Sequence, residues 1–371
     1  MILLHKVFVP ENLDTMMSEL RAVIASGWVG EGPKVQAFEQ ALRPIVGSDN
    51  VTALNACTSS LQLALRLAGV GPGDEVVTTP MTCMATNLPI VLAGGTPVWA
   101  DVDPATGNIS PASIKAKITP RTKAIMIVHW GGYPCDIAEI NAIAREAGVK
   151  VIEDAAHALG STYQGKPIGS HSDYACFSFQ AIKHIHTGDG GLLVCRNMVD
   201  HARARSLKWF GIDREKRQVN DYGIAEWDIV EAGYKYHMND VAATMGLVQL
   251  PYLADNIAAR RLNAKKFQEA FKNLKRVKLL AEKSDRLSAY WLFTVLVDDQ
   301  VGFIRYLKEK DIAASIVHSR NDKSQVFSHL KRDSLPGLDA FASSMVCIPV
   351  GQWVDDKARA QIIDAVAGEA W

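Results

Sequence analysis

Asp173-Tyr174-Ala175-Cys176-Phe177-Ser178-Phe179-Gln180-Ala181-Ile182-Lys183-His184-Ile185-His186-Thr187-Gly188-Asp189-Gly190-Gly191 joins an apolar, aromatic run to a lysine, a glycine-rich turn and a second apolar run at 192–194. The first run reads as a buried strand ending at Phe179, and the second as another strand after the turn. One amine therefore sits where two strands leave the core. An ammonium buried without a partner is expensive, so Lys183 either turns out to solvent or has its charge suppressed and its amine used chemically.

Upstream, Lys150-Val151-Ile152-Glu153-Asp154-Ala155-Ala156-His157 has the shape of a buried parallel strand with carboxylates and a histidine at its carboxyl end. Further upstream, Asn55-Ala56-Cys57-Thr58-Ser59-Ser60 follows an apolar run and opens a helical pattern. Small hydroxyl residues at a helix start offer an anion site. An amine, a carboxylate and an anion cradle at three strand ends are what pyridoxal phosphate requires.

Short apolar runs at 51–54, 75–78, 97–100, 124–128, 150–153, 173–179 and 191–195 alternate with helical patterns. The alternation predicts an α/β fold, a mainly parallel sheet covered by helices on both faces, with ligands gathered at the carboxyl ends of its strands. Ahead of it, residues 12–26 predict an amphipathic helix and 27–32 a glycine-rich link. Val35, Phe38, Leu42 and Ile45 mark a second helix, with Pro33 suited to its first turn. Gly69-Val70-Gly71-Pro72-Gly73-Asp74 is not G-x-G-x-x-G and precedes a strand, which makes it a turn and not a nicotinamide site.

Beyond Asn197 the pattern is helical to about residue 210, and the polar stretch 213–228 has no clear period and reads as a mobile, functional loop. Asn239 and Asp240 are expected to cap a helical region reaching about residue 271, broken near Pro251. Strands at 291–297, 312–317 and 345–348, with helices near 300–310 and 355–367, predict a smaller α+β carboxyl-terminal domain.

With 371 residues the chain can fill a large domain at 1–250 and a small one at 251–371. Lys+Arg and Asp+Glu each number 40, so no charge excess points to nucleic acid or to a membrane surface. No signal-peptide core opens the chain, and no apolar run is long enough to span a bilayer, so a cytoplasmic protein is expected. Cysteines 57, 83, 135, 176, 195 and 347 lack C-x-x-C pairing and read as reduced, mostly buried thiols, with no metal site.

These segments resemble the fold-type I pyridoxal phosphate enzymes, specifically the DegT/DnrJ sugar aminotransferases. The motifs follow that family's order: Gly27-Trp28-Val29-Gly30-Glu31-Gly32-Pro33 with Val35, Phe38 and Glu39, then Thr58-Ser59, Glu153-Asp154-Ala155-Ala156-His157, 178–183, Gly188-Asp189-Gly190-Gly191 and Met238-Asn239-Asp240. The resemblance implies an aminotransferase that moves an amino group, with L-glutamate the expected donor, to a deoxy keto-sugar linked to a nucleotide. It implies amino-sugar and surface-polysaccharide biosynthesis, and a homodimer with shared active sites.

By the same resemblance, Lys183 would carry the cofactor as an imine and, once displaced by an amine substrate, move a proton at the substrate carbon, the cofactor shuttling between pyridoxal and pyridoxamine forms. Asp154 would hold the pyridine nitrogen, and His157 would face the ring or its phenolic oxygen. Thr58 and Ser59, helped by Ser178, would bind the phosphate, and Asn239 would reach the phosphate of the neighbouring subunit. Relatives usually place a ring-stacking aromatic where this chain has Cys83. His184, beside the lysine, and His318 and Arg320, after a carboxyl-terminal strand, are candidate substrate contacts. A histidine in the lysine's own position marks the family's dehydratase branch, whereas here the lysine is in place. Keto-sugar dehydration, amination of a free keto-sugar acid, and a non-catalytic regulator on the same fold are the alternatives.

Overall fold

Three of the apolar runs become strands over the same residues that the sequence marks, β1 (Val51–Leu54), β2 (Glu75–Thr78) and, later, 191–195. The computed structural model describes residues 1–213, 216, 218–330 and 333–368. Between the strands of the central sheet lie β3 (Thr96–Trp99), β4 (Thr122–Val128), β5 (Lys150–Asp154), the short pair β6 (Thr162–Tyr163) and β7 (Lys166–Pro167), then β8 (Tyr174–Ser178) and β9 (Gly191–Cys195). Helices α1 (Leu13–Ser26) and α2 (Pro33–Val46) precede them. Helices α3 (Cys57–Leu67), α4 (Met84–Leu92), α5 (Pro111–Lys117) and α6 (Ile137–Ala147) form the crossovers, and α7 (Met198–Leu207) follows.

Among the described residues the central sheet runs β1-β9-β8-β5-β4-β2-β3. Pairs β2/β3, β2/β4, β4/β5 and β5/β8 are parallel, and β9 is antiparallel to both β8 and β1. The carboxyl ends of β1, β5 and β8 therefore share one edge. Consecutive strand residues alternate between two cores: Ala175 and Phe177 join one, with Val77, Ile125 and Val151, and Tyr174 and Cys176 join the other, with Val76, Met126 and Ile152. This is the period of two that buries both faces of a sheet.

After α7, the stretch 213–228 departs from its expected lack of order by forming a hairpin, β10 (Gln218–Val219) with β11 (Ala225–Glu226); residues 214, 215 and 217 of it lie outside the described residues. Its side chains are mostly exposed, so burial never imposed an apolar alternation on the sequence. Helix α8 (Asp240–Gln249) runs through a 3₁₀ turn at Pro251 into α9 (Leu253–Phe271), the break the proline required.

A second sheet, β12 (Val277–Leu279), β14 (Phe293–Val297) and β15 (Met345–Ile348), is antiparallel, and β13 (Arg286–Leu287) pairs back onto β6. Helices α10 (Gln300–Glu309), α11 (Pro336–Ser344) and α12 (Asp356–Ala367) complete this region. The expected boundary after residue 250 is crossed in both directions. Leu253 and Ile257 of α9 pack in the first core whereas Phe267 and Phe271 pack in the carboxyl-terminal one. At the other end of the chain, Ile2 bridges Ile312 and packs on that same carboxyl-terminal core. The strand expected at 312–317 is reduced to single bridges, from Ile312 to Ile2 and from Ser315 to Cys347. Left-handed backbone at Asp311 (φ 57°) and Val317 (φ 59°) turns the run out of line at both ends. No described helix is long and apolar enough to cross a membrane.

Asn239 caps α8, its Oδ1 accepting from Ala242 N at 2.8 Å. Asp240 works elsewhere. Buried at 2% exposure, its carboxylate accepts from the backbone N–H groups of Gly32 (2.8 Å), Lys34 (3.1 Å) and Val35 (3.0 Å), capping α2, which has no side-chain cap of its own. It thereby ties the glycine-rich link to α8. Replacing a charged acceptor of three backbone donors, two of them buried, is expected to cost about 2–4 kcal/mol in Asp240→Ala, against about 1 kcal/mol for Asn239→Ala. Urea unfolding of the two variants checks the difference, and equal costs would remove Asp240 from this role.

Candidate active site

The shared edge of β1, β5 and β8 opens on a cavity of about 300 Å³ lined by residues of both regions. Lys183 lies in the turn after β8, its N–H bonded to the Gln180 carbonyl at 2.9 Å. The side chain opens onto the cavity, and burial, opposed by Asp154, Cys57 and Cys83, pulls its ammonium down to about 8.

Asp154 ends β5 and is 5% exposed. Its Oδ1 accepts from Ala156 N at 3.1 Å and its Oδ2 from the Thr86 hydroxyl at 2.7 Å. Because the Thr86 proton is committed there, Thr82, 2.7 Å from Thr86 Oγ1, is the donor in that contact, and a two-hydroxyl chain orients the carboxylate. Burial raises the Asp154 carboxyl above its ordinary range, while Thr86, Ala156 and Lys183 oppose the rise.

The amino end of α3 meets the same cavity. Ala56 at its N-cap supplies no side-chain acceptor, so the first-turn N–H groups have no cap, and Thr58 lines the space in front of them. Gly191 makes this seat possible: a Cβ there would lie 2.3 Å from the Ala56 carbonyl oxygen. Ser178, at the end of β8, and Cys83, at the start of α4, also line the cavity. Ser59 does not, since its hydroxyl donates to Asn55 Oδ1 at 2.7 Å.

His157 is buried, with Nδ1 unpartnered and its ring stacked on Trp291 at 3.8 Å. His318 also lines the cavity, with Nε2 unpartnered, and burial lowers its imidazolium to about 4. Both rings are neutral near pH 7, the His157 imidazolium being lowered by burial and by Lys183. Two candidates lie elsewhere. His184 is buried away from the cavity, its Nε2 donating to the Ala289 carbonyl at 3.0 Å. Arg320 forms a two-bond pair with Asp322 (3.0 and 2.8 Å) and a further pair with Asp339, so its guanidinium is committed within the protein. Asn239 is exposed and does not line the cavity of its own chain.

Trp291, Thr82, Thr86 and Gln180 were not anticipated. Thr82, just before the Cys83 N-cap of α4, and Thr86, in its first turn, lie four residues apart on either side of Cys83, and that spacing was the available signal. Trp291 sits at the start of an ordinary apolar run and carries no such mark. Among the described residues no group of three or more His, Cys, Asp or Glu side chains is arranged to hold a metal. The donor set fits pyridoxal phosphate: an amine with suppressed charge, a buried carboxyl with an oriented face, an uncapped helix start, and orphaned nitrogens on His157 and His318.

Comparison with known proteins gives the family and the fold. Residues 11–367 match the DegT/DnrJ/EryC1/StrS aminotransferase family. The spore coat polysaccharide biosynthesis protein SpsC of Bacillus subtilis is 37% identical, over 97% of this chain and 96% of its own. The sugar aminotransferase CalS13 from Micromonospora echinospora superposes with a TM-score of 0.95 at 35% identity, covering 100% of both chains. The PLP form of Spr1654 from Streptococcus pneumoniae superposes at 0.90 with 26% identity, covering 99% of this chain and 98% of its own. The chain thus belongs to the DegT/DnrJ/EryC1/StrS aminotransferase family, as a pyridoxal phosphate-dependent aminotransferase of fold-type I.

Proposed function

We propose that the protein transfers an amino group from L-glutamate to the carbonyl of a nucleotide-linked deoxy keto-sugar, in amino-sugar and surface-polysaccharide biosynthesis. The observation that carries the reading is the convergence of the Lys183 amine, the Asp154 carboxyl and the uncapped start of α3 on one cavity. The name of SpsC, a spore coat polysaccharide biosynthesis protein, and that of CalS13, a sugar aminotransferase, support the substrate class.

Pyridoxal phosphate, when bound, supplies an aldehyde that exchanges amino groups and a ring that draws electrons from the substrate carbon. Lys183 would hold it through Nζ. With its ammonium lowered to about 8, about one Lys183 in ten is neutral at pH 7, so the freed amine serves as a base where an ordinary lysine would be almost wholly protonated. Asp154 would hold the ring nitrogen, and positive charge there would draw its carboxyl back down. The first-turn N–H groups of α3, with the Thr58 and Ser178 hydroxyls, would take the phosphate. Ser59 contributes only its backbone to that cradle. His157, backed by Trp291, would pack on the ring.

The reading includes a homodimer. Asn239 uses Oδ1 for its own helix cap and has Nδ2 to offer a partner's phosphate. Tyr222, Ile224 and Val230, 87%, 60% and 90% exposed around the β10–β11 hairpin, supply apolar area for a second copy.

Two measurements test this reading. The purified protein with cofactor is expected to absorb near ~410–430 nm, to shift to shorter wavelength with L-glutamate, and to recover its band on adding a nucleotide-linked keto-sugar. A band unmoved by L-glutamate would remove it as donor, and a sugar that loses oxygen without gaining nitrogen would transfer the protein to the dehydratase branch. Asp154→Asn is expected to lower kcat by roughly 10²–10³ with the cofactor still bound, and near-normal turnover would displace Asp154 from the ring nitrogen.

A further inference from the structure

An aromatic ring from the carboxyl-terminal region lies against the Lys183 amine. Lys183 Nζ lies 3.7 Å from the centroid of the Trp291 ring, well within cation–π range. The indole is tied to the same turn a second time, its Nε1–H donating to the Ile182 carbonyl at 2.9 Å.

The segment that carries Trp291 is built to hold it still. Tyr290 just before it has left-handed backbone, φ 45°, in a bulky residue that rarely adopts it. Four bonds clamp the strained run: His184 Nε2 donates to the Ala289 carbonyl (3.0 Å), Ala289 N to Ser161 Oγ (3.0 Å), Arg261 Nε to the Ser288 carbonyl (2.8 Å), and the buried Arg260 to the Tyr290 carbonyl (3.3 Å). Gly132 lets it close in, since a Cβ there would meet the His157 carbonyl oxygen at 2.6 Å and Tyr290 N at 3.2 Å. His184, away from the cavity, and the charged Arg260 thus have a common task.

We propose that Trp291 is a positioning residue for Lys183, its indole face holding the ε-ammonium whenever that amine is free. The aminotransferase reading above supplies the use of the amine; the ring–amine contact stands independently of it. Other groups act on the same charge. Asp154 faces it from β5 with a carboxyl that favours the ammonium, and Cys57 of α3 and Cys83 at the start of α4 stand beside it. The imidazoles of His157, His318 and His5 surround it, His5 arriving from the amino-terminal segment and stacked on Trp291 at 4.8 Å. The identity of every one of these groups is kept by a substitution that alters only the electron density of the indole.

The test replaces Trp291 with mono-, di- and tetrafluorotryptophan, which preserve its shape and progressively weaken the ring's negative face. The pH dependence of Lys183 labelling by a trace amine reagent is read by mass spectrometry on the full cofactor-free chain. The Lys183 midpoint is expected to fall stepwise, by about one pH unit at the tetrafluoro ring, and Trp291→Phe, which keeps an aromatic face, is expected to stay within about half a unit of the native chain. A constant midpoint across the fluorinated series would overturn the proposal. A large shift confined to Trp291→Phe would assign the effect to the indole N–H bond and would overturn it equally. Failure of glutamate to move the cofactor band would leave these midpoints untouched, so the two readings fail separately.

Discussion

Keeping one lysine amine out of bulk water is the constraint to which the site's other parts answer. A buried ammonium is tolerated only where opposite charge, a polarizable face or a loss of its proton offsets desolvation. Lys183 has some of each: Asp154 across the cavity, the Trp291 ring at 3.7 Å, and an acidity shifted to about 8. The sheet makes this meeting possible. Because β9 runs antiparallel between β1 and β8, the glycine-rich turn after Lys183 returns the chain to β1, and the start of α3 is brought beside the lysine.

The carboxyl-terminal region finishes what the sheet begins. Trp291 and His318 both line the cavity, and each directly follows a non-glycine residue in left-handed backbone, Tyr290 and Val317. Strain of this kind persists only where surrounding bonds fix it. Around Tyr290 those bonds come from buried Arg260 and from Arg261 and His184. Around His318 the local bond runs from its own N–H to the Ile316 carbonyl at 2.6 Å. The sheet edge thus supplies the amine, the carboxyl and the uncapped helix start, and the carboxyl-terminal region supplies the aromatic wall.

Much of this was legible in the chain itself. β-branched runs such as 51–54 and 75–78 mark strands because both sheet faces are buried, and Pro251 marks the helix break because it cannot continue the ladder. Lys183, Asp154 and Thr58 were legible as strand-end residues whose chemistry converges. Trp291 was not, because its role arises from a contact across 108 residues of chain, and a tryptophan opening an apolar strand looks like core. His184 misled because adjacency in sequence to Lys183 sends the two side chains in different directions around a tight turn. The split of Asn239 and Asp240 between two helices was hidden for the same reason: Asp240 caps α2 through the fold, not through its neighbours in sequence.

The central claim is that Lys183 is the covalent seat of the cofactor, and borohydride reduction of the cofactor-loaded protein followed by peptide mass analysis tests it most directly. The account predicts that the reduced cofactor's mass is fixed on the peptide containing Lys183 and on no other lysine. A protein that binds the cofactor yet carries that mass on a different lysine, or on none, would contradict it.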